Sequence, residues 1–204
     1  MKEVDIYQTL EDRQNDQDVE EHGPYFCSSV DADGNPKSGV REPWLGEGYY
    51  FWDSRIANAV WWGDTVYSSK GYIICHTTYD QHSPLLFDMV GDVTQLDDFV
   101  KCAEFIKKQN KAAGVSFPVV IAYMKKLPEF YYKAIRVWPH PKTINEVVRF
   151  PGSKSVLCMA DKIQICFFDK TLLNHPFKNR PSGSLHSQSD NMTQKPSISD
   201  GFYA

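Results

Sequence analysis

One segment of the chain combines glycines, aromatic residues and the start of a helix within eighteen positions. It runs from Gly46 to Gly63 and reads GEGYYFWDSRIANAVWWG. Glycine in or beside a strand often marks a place where the backbone is closely approached, and Gly46 and Gly48 stand directly before the aromatic run. Aromatic faces behind such a turn suit a flat heterocycle. The aromatic run alone is more typical of a core strand, and the two glycines favour a ligand site.

Other residue types that carry chemistry are present but are not grouped in known spacings. The six histidines show no metal-ligand spacing, and the sequence has neither a G-x-x-x-x-G-K-[ST] loop nor a G-x-G-x-x-G motif. The five cysteines are widely spaced and lack a C-x-x-C pair, which favours neither a zinc cluster nor a disulfide framework. His76 follows Cys75, but a lone cysteine is more often a core residue than a nucleophile. We expect no metal and a reducing compartment.

Composition limits the protein to an ordinary globular class. The chain has 204 residues, of which 42% are hydrophobic, and this suffices for one substantial core and one domain. The formal charge is −4 and no block of lysine or arginine has the length of a polyelectrolyte-binding tract, so duplex nucleic acid held by phosphate contacts alone is not expected. No apolar stretch has signal-peptide or membrane-spanning length. We expect a cytoplasmic protein without a membrane partner.

The elements that must position these residues follow from hydrophobic periodicity. Alternation predicts strands, and apolar spacing of three and four residues predicts helices. The helix after the aromatic strand is expected to have Asp53 or Ser54 as its cap and to end at Gly63. Strands are predicted over 4–10, 49–52, 71–79, 85–90, 131–137, 146–150 and 163–168, and further helices over 94–110 and from Ser116. This order is typical of an α+β fold.

Two segments lack regular periodicity. Residues 22–47 are dense in Gly, Pro, Asn and Asp, and a long loop inside a compact domain is often a lid over a site. A solvated connection or an insertion is the alternative. Residues 175–204 are rich in polar residues, Pro and Gly, and cannot bury enough apolar surface to offset the entropy of ordering. We therefore predict one domain over 1–174, with a mobile lid over 22–47, and a disordered tail over 175–204.

Residues 45–59 resemble the second signature of the ADP-ribosyltransferase superfamily, in the branch of the poly(ADP-ribose) polymerases and diphtheria-toxin-like enzymes, as a divergent bacterial-type member. In that family a tyrosine of a glycine- and aromatic-rich strand packs on the nicotinamide of NAD. The resemblance implies that Tyr50 is this stacking residue and that Gly48, Tyr49 and Phe51 shape its strand. It also implies a split β-sheet with a central cleft and flanking helices.

The other two signatures of the family have counterparts elsewhere in the chain. The first is an N-terminal strand that fixes the ribose, and the resemblance places Tyr7, Gln8 and Thr9 there. Gln8 stands at the His or Arg position and Thr9 at the usual glycine. The third is a catalytic glutamate at the start of a late strand. Glu146 matches this signature better in the residue types of its segment, and Gln164 matches it better in the position of its strand along the chain. A carboxylate favours the positive charge that develops on the ribose, whereas an amide orients the ribose but is no general base.

The resemblance implies a mono-ADP-ribosyltransferase that uses NAD as its substrate without a metal. It would transfer ADP-ribose to a protein or nucleic-acid acceptor and release nicotinamide, and an inhibitory protein is a further expected partner. Two alternatives remain open: a catalytically inactive nucleotide-binding or protein-interaction module on the same fold, and an NAD glycohydrolase. RNA 2′-phosphate transfer ranks last, because it needs arginines or a histidine converging on phosphate and none are grouped in the sequence.

Two smaller predictions concern the walls of the implied cleft. Lys37, Arg41 and Arg55 are the basic side chains nearest to it in sequence and are candidates for the pyrophosphate, although any single one is more typical of a surface charge. Four tryptophans surround the aromatic segment. Tryptophans so concentrated suit both a pocket wall and a core, and we expect Trp61 in the core and Trp44 on the lid.

Overall fold

The computed structural model describes residues 1–38, 40, 42–111, 114–139, 147–149, 156–158 and 162–181. The helices in these ranges are α1 (Asp16–His22), α2 (Ile56–Val66), α3 (Val93–Asn110) and α4 (Phe117–Met124). The strands are β1 (Glu3–Glu11), β2 (Tyr49–Asp53), β3 (Tyr72–Asp80), β4 (Leu86–Asp88), β5 (Ala134–Val137), β6 (Val147–Arg149), β7 (Val156–Cys158), β8 (Gln164–Phe167) and β9 (Lys178–Pro181). Every predicted strand and helix is present, β7 and β9 are additional, and α1 lies in the acidic run over 11–21, for which the sequence left a helix or a loop open.

Seven of the strands form one mixed sheet in the order β4-β5-β8-β2-β1-β3-β9. Only the β4–β5 pair in this sheet is parallel, and β6 pairs with β7 in a separate two-stranded sheet. The predicted α+β class is confirmed. The seven strands are continuous, however, and do not form two small sheets with a cleft between them.

Apolar side chains pack differently on the two faces of the large sheet. One face, which we call the α1 face, carries Ile6, Phe51 and Ile165 in a single cluster with α1 and the segment 172–177. The opposite face, called the α2 face, has two separate clusters. One lies beneath α2, with Tyr7, Trp52, Ala59, Tyr72 and Ile74, and the other beneath α3 and α4, with Leu45, Phe99, Val120, Ile135 and Cys166 among its members. The α2 face is therefore divided, although the sheet is not.

Helix α2 differs from its predicted limits at both ends. It continues through Gly63 to Val66 because the ring of Tyr72 packs on Gly63, where an added Cβ would lie 2.5 Å from the ring atoms. The residue that precedes the helix is Arg55, and no side chain caps the helix there. Asp53 is not the cap, since its carboxylate faces the α1 side and pairs with Arg136.

Arg136 joins the ends of three strands on the α1 face. Its Nε donates to Asp53 Oδ2 at 2.7 Å, and its Nη1 donates to the two carboxylate oxygens of Asp88 at 3.0 and 3.1 Å. Burial alone would lower the pKa of Arg136, but Asp53 and Asp88 outweigh this effect and the pKa is raised above its ordinary value. Because removing one partner of a buried pair leaves an uncompensated charge, Arg136 holds Asp53, and with it the end of β2, in place.

The start of the disordered tail was predicted too early in the chain. Residues 178–181 form β9, which pairs with β3 at the edge of the sheet, and Phe177 is buried against Gly23. Main-chain hydrogen bonds to an existing strand hold these polar residues, and this pairing needs no apolar side chains. Residues 182–204 lie outside the described residues. None of the described helices combines the length and apolar character needed to cross a membrane.

Gly48 marks a close backbone approach, as the sequence predicts, but the approaching group is the neighbouring strand. A Cβ on Gly48 would lie 2.5 Å from Cys166 Sγ and 2.6 Å from the Phe167 carbonyl oxygen of β8. Its main chain also exchanges hydrogen bonds with Cys27, at 2.9 and 3.2 Å. Glycine at this position therefore lets β2 begin against β8.

We predict that Gly48→Ala destabilises the protein by about 1 to 3 kcal/mol, because the added methyl overlaps a backbone carbonyl that cannot rotate away. Denaturant titration measures this change in the free energy of unfolding. Gly114→Ala is the matched control, since nothing lies within 4 Å of a Cβ there. Equal stability of the two variants would contradict the role assigned to Gly48.

Candidate functional site

A line of side chains crosses the α2 face at one level of the sheet. Successive cross-strand partners place Lys178, His76, Tyr7, Trp52, Gln164 and Val137 side by side, from β9 through β3, β1, β2 and β8 to β5. Directly opposed residues share a face, and strands lie about 4.8 Å apart. We call this set the cross-strand row. It combines aromatic planes, an amide, a phenol and an imidazole on one surface.

Tryptophans of α2 form a wall over the centre of the row. Trp52 is 7% exposed, and its ring centroid lies 6.2 Å from that of Trp61 and 6.1 Å from that of Trp62. Trp61 and Trp62 are themselves 43% and 38% exposed. Lys162 Nζ lies 4.3 Å from the ring centroid of Trp61. The prediction that Trp61 is in the core is wrong, because Trp52 takes that place and Trp61 covers it.

Strand alternation divides the predicted NAD-binding residues between the two faces. Tyr7 and Thr9 of β1 and Tyr50 of β2 lie on the α2 face, on which Thr9 Oγ1 donates to the Ala59 carbonyl at 2.7 Å. Gln8, Tyr49 and Phe51 lie on the α1 face. The structure therefore brings only half of these predicted residues to the same face of the sheet.

Gln8 cannot hold a ribose beside Tyr50 in this arrangement. Its side-chain amide donates to the Tyr25 carbonyl at 3.0 Å and accepts from the Tyr25 N–H at 2.7 Å. Gln8 is buried, and both ends of its amide are satisfied by the loop after α1. Its side chain anchors the chain, and the predicted role in ribose binding is corrected.

Tyr50 is covered by the segment that precedes it. Its hydroxyl donates to the Gly46 carbonyl at 2.7 Å and accepts from the Leu45 N–H at 2.8 Å. Burial, with the Cys166 thiol adding to it, raises the pKa of the Tyr50 hydroxyl well above its ordinary value, so the phenol stays neutral. The ring packs with the cluster beneath α3 and α4. In this structure the phenol is engaged with residues 45 and 46 and does not present an open face.

The described residues of the segment 22–47 are attached to the sheet at several points, and the mobility of this loop stays a prediction. Tyr25 is held by Gln8, and Leu45 is fully buried. Trp44, predicted on this segment, donates its Nε1–H to Gln164 Oε1 at 2.6 Å, and its ring meets that of Phe117 edge to face. We call residues 42–47 the cover segment. It contacts two predicted site residues, Tyr50 and Gln164, as a closed lid would; residue 41 lies outside the described ranges.

Of the two candidates for the third signature, only Gln164 lies among the residues that the structure describes. Gln164 starts β8, pairs with Trp52 and is a member of the cross-strand row. Glu146 lies outside the described residues, so its position relative to the row stays a prediction. The row itself contains no carboxylate.

An aspartate–histidine pair was not predicted from the sequence. His76 Nε2 lies 2.6 Å from Asp5 Oδ1, and the His76 ring is stacked on Tyr7 with centroids 5.0 Å apart and planes 17° from parallel. Only the β1–β3 register reveals the pair, since 71 positions separate the residues. Cys75 points to the α1 face, and burial raises the pKa of its thiol to about 12, so it is an inert core residue as expected.

The cations predicted for the pyrophosphate do not converge on the row. Lys37 Nζ donates to the Ser28 carbonyl at 3.3 Å within its own loop. Arg55 is exposed at the start of α2, and Arg41 is outside the described residues. Across the described ranges, no three His, Cys, Asp or Glu side chains are placed to share a metal ion.

A cavity of about 320 Å³ lies between the cover segment and α4. Glu42 and Glu47 line one side, and Val119 and Lys125 line the other. Burial lowers the pKa of Lys125, whose Nζ lies 3.4 Å from the ring centroid of Phe168. The cavity borders the cover segment and is not lined by the row.

Comparison of the chain with models of protein families, with curated proteins and with solved structures found no match.

We predict that Trp44→Phe loosens the cover segment, because the variant keeps the ring against Phe117 but loses the hydrogen bond to Gln164. A net loss of about 0.5 to 1.5 kcal/mol corresponds to opening that is about 2- to 10-fold more frequent. Amide hydrogen exchange at Leu45 and Gly46 measures this. Trp62→Phe is the control and leaves both rates unchanged; equal exchange rates in Trp44→Phe and the wild type would show that the hydrogen bond does not hold the segment.

Proposed function

We propose that this chain is an ADP-ribosyltransferase-like protein that binds NAD on the α2 face. In this proposal the nicotinamide and its ribose lie over the part of the row formed by Tyr7, Trp52 and Gln164. NAD is the substrate, no metal takes part, and ADP-ribose passes to a protein or nucleic-acid acceptor.

One observation supports this proposal most strongly. The three segments that resemble the family signatures are far apart in sequence, yet they form β1, β2 and β8, which are adjacent in the sheet. Their register puts Tyr7, Trp52 and Gln164 in direct cross-strand contact on one face.

The proposed chemistry is the breaking of the bond between the nicotinamide nitrogen and ribose C1′. The electron pair leaves with nicotinamide, the acceptor nucleophile forms a bond to C1′, and the acceptor proton passes to a carboxylate. Aromatic side chains immobilise the leaving group, and Gln164 hydrogen-bonds the ribose. Glu146 supplies the carboxylate that favours positive charge on the ribose.

Entry of the ligand requires the cover segment to open and the rings of Trp61 and Trp62 to move off Trp52, which is buried beneath them. Trp44 donates a hydrogen bond to the side-chain oxygen of Gln164, and the main chain of Leu45 and Gly46 hydrogen-bonds the hydroxyl of Tyr50. Opening releases both groups at once, and Tyr50 then stacks on the nicotinamide.

The second candidate is a nucleotide-binding module without turnover. Gln164 favours it, because the residue that stands in the row at the late-strand position is a neutral amide with no capacity as a general base. The two candidates share the binding surface and differ only in whether a carboxylate reaches it.

We predict that Glu146→Gln abolishes nicotinamide release and spares NAD binding, because the variant removes a charge and keeps the shape of the side chain. Labelled NAD with a cell lysate measures nicotinamide release and label transfer separately, and calorimetry measures binding. Release by the variant at the wild-type rate would reject Glu146 as the catalytic carboxylate.

The second candidate predicts NAD binding without release in the wild type, and a gain of release in Gln164→Glu. A correctly placed carboxylate contributes about 100- to 10,000-fold, so the gain is measurable above the spontaneous reaction. Gln109→Glu on the exposed side of α3 adds the same charge away from the row and is the control. If neither the wild type nor Gln164→Glu binds NAD, both candidates fail.

A further inference from the structure

Strand β9 brings two cations to the end of the cross-strand row. Lys178 is directly opposite His76, and Arg180 is directly opposite Ile74, so both side chains lie on the α2 face. Arg180 is half-buried, and Lys178 is exposed. The segment was predicted to be disordered, and for this reason no grouping of these cations with a histidine could be expected from the sequence.

Neither cation has an anionic partner among the described residues. Other basic side chains do, since Lys70 pairs with Glu11 at 3.0 Å and Lys133 pairs with Asp169 at 3.0 Å. A half-buried guanidinium without a partner loses hydration and gains no ion pair in return. Its planar set of donors is suited to the oxygens of a phosphate.

His76 supplies an independent observation. It is 7% exposed, its Nε2 lies beside Asp5, and its Nδ1 is buried with no hydrogen-bond partner within the described part of the chain. Leaving such an atom unpaired costs about 1 to 3 kcal/mol. An N–H on each ring nitrogen would let Asp5 accept one hydrogen bond and a second anion accept the other.

Arg180 also contributes to the electrostatics of the Tyr7 hydroxyl. Burial raises the pKa of the Tyr7 hydroxyl and the Asp5 carboxylate adds to this effect, while Arg180 opposes both. Asp5 lies at this end of the row and contacts His76. The cations of β9 lie on the opposite side of His76 from β1.

We propose that Lys178, Arg180, His76 and Tyr7 form a binding site for the phosphate groups of a nucleotide. Its assignment to the pyrophosphate of NAD rests on the proposed function. His76 is two strands from Trp52, about 10 Å across the sheet, so one extended nucleotide reaches from the aromatic centre of the row to this end. A phosphorylated acceptor is the other source of the same group.

Titration of the full-length chain with inorganic pyrophosphate, followed by calorimetry, tests the site without NAD. Hydrogen bonds to a charged group contribute about 1.5 to 3 kcal/mol, so Arg180→Gln is expected to weaken binding by about 10-fold or more. Lys178→Gln is expected to weaken binding less, because this side chain is exposed. Lys107→Gln on α3 removes the same charge elsewhere and leaves binding unchanged. Arg180→Lys restores part of the affinity, which shows that the loss is not one of folding.

Competition then identifies the source of the phosphate and separates this proposal from the proposed function. Displacement of pyrophosphate by NAD assigns the site to the dinucleotide, and displacement by a phosphorylated oligonucleotide but not by NAD assigns it to the acceptor. Pyrophosphate binding that depends on Arg180 but is insensitive to NAD keeps the site and contradicts NAD as its ligand. The phosphate site is rejected if pyrophosphate does not bind, or if it binds equally to the wild type, Arg180→Gln and Lys178→Gln.

Discussion

The register of β2 between β1 and β8 is the constraint on which the site depends. A shift of one residue would turn Trp52 to the α1 face and carry Asp53 away from Arg136. The strand is fixed at both ends: Gly48 permits its start against β8, and Asp53 is held at its end by the buried guanidinium. The contacts that set the site therefore include an ion pair on the opposite face of the sheet, which no ligand would touch.

With that register, the proposed binding and the proposed turnover depend on different parts of the chain. Aromatic rings, the amide of Gln164 and the cations of β9 belong to the described sheet, and together they suit a flat ring with a ribose and phosphates. The row has no carboxylate, so bond breaking in the proposed function depends on Glu146. The cover segment adds a second level of control, because Trp44 engages Gln164 in the closed structure. In the proposed function, the ligand binds only after part of the chain has moved.

Local sequence patterns predicted the elements well because each reflects burial of one side of a strand or helix. Contacts between side chains of different strands depend on which strands pair and in which register. The alternation of apolar residues within one strand therefore could not show that Gln8 and Tyr50 lie on opposite faces of the sheet. Gly63 has the features of a helix end, yet Tyr72 packs on it from the next strand and the helix continues. Strand β9 had no apolar pattern to detect, since main-chain pairing with β3 holds it. Arg180 was consequently missing from every grouping of cations made from the sequence.

A crystal structure of the full chain with NAD tests the central claim most directly, which is that the cross-strand row is the floor of a nicotinamide-nucleotide site. We expect the nicotinamide ring to contact Trp52, the ribose to lie within hydrogen-bond distance of Gln164, and the cover segment to be displaced from Trp44 onward. A complex with NAD bound elsewhere while Trp44 still bonds to Gln164, or crystals that hold no NAD at saturating concentration, would contradict it.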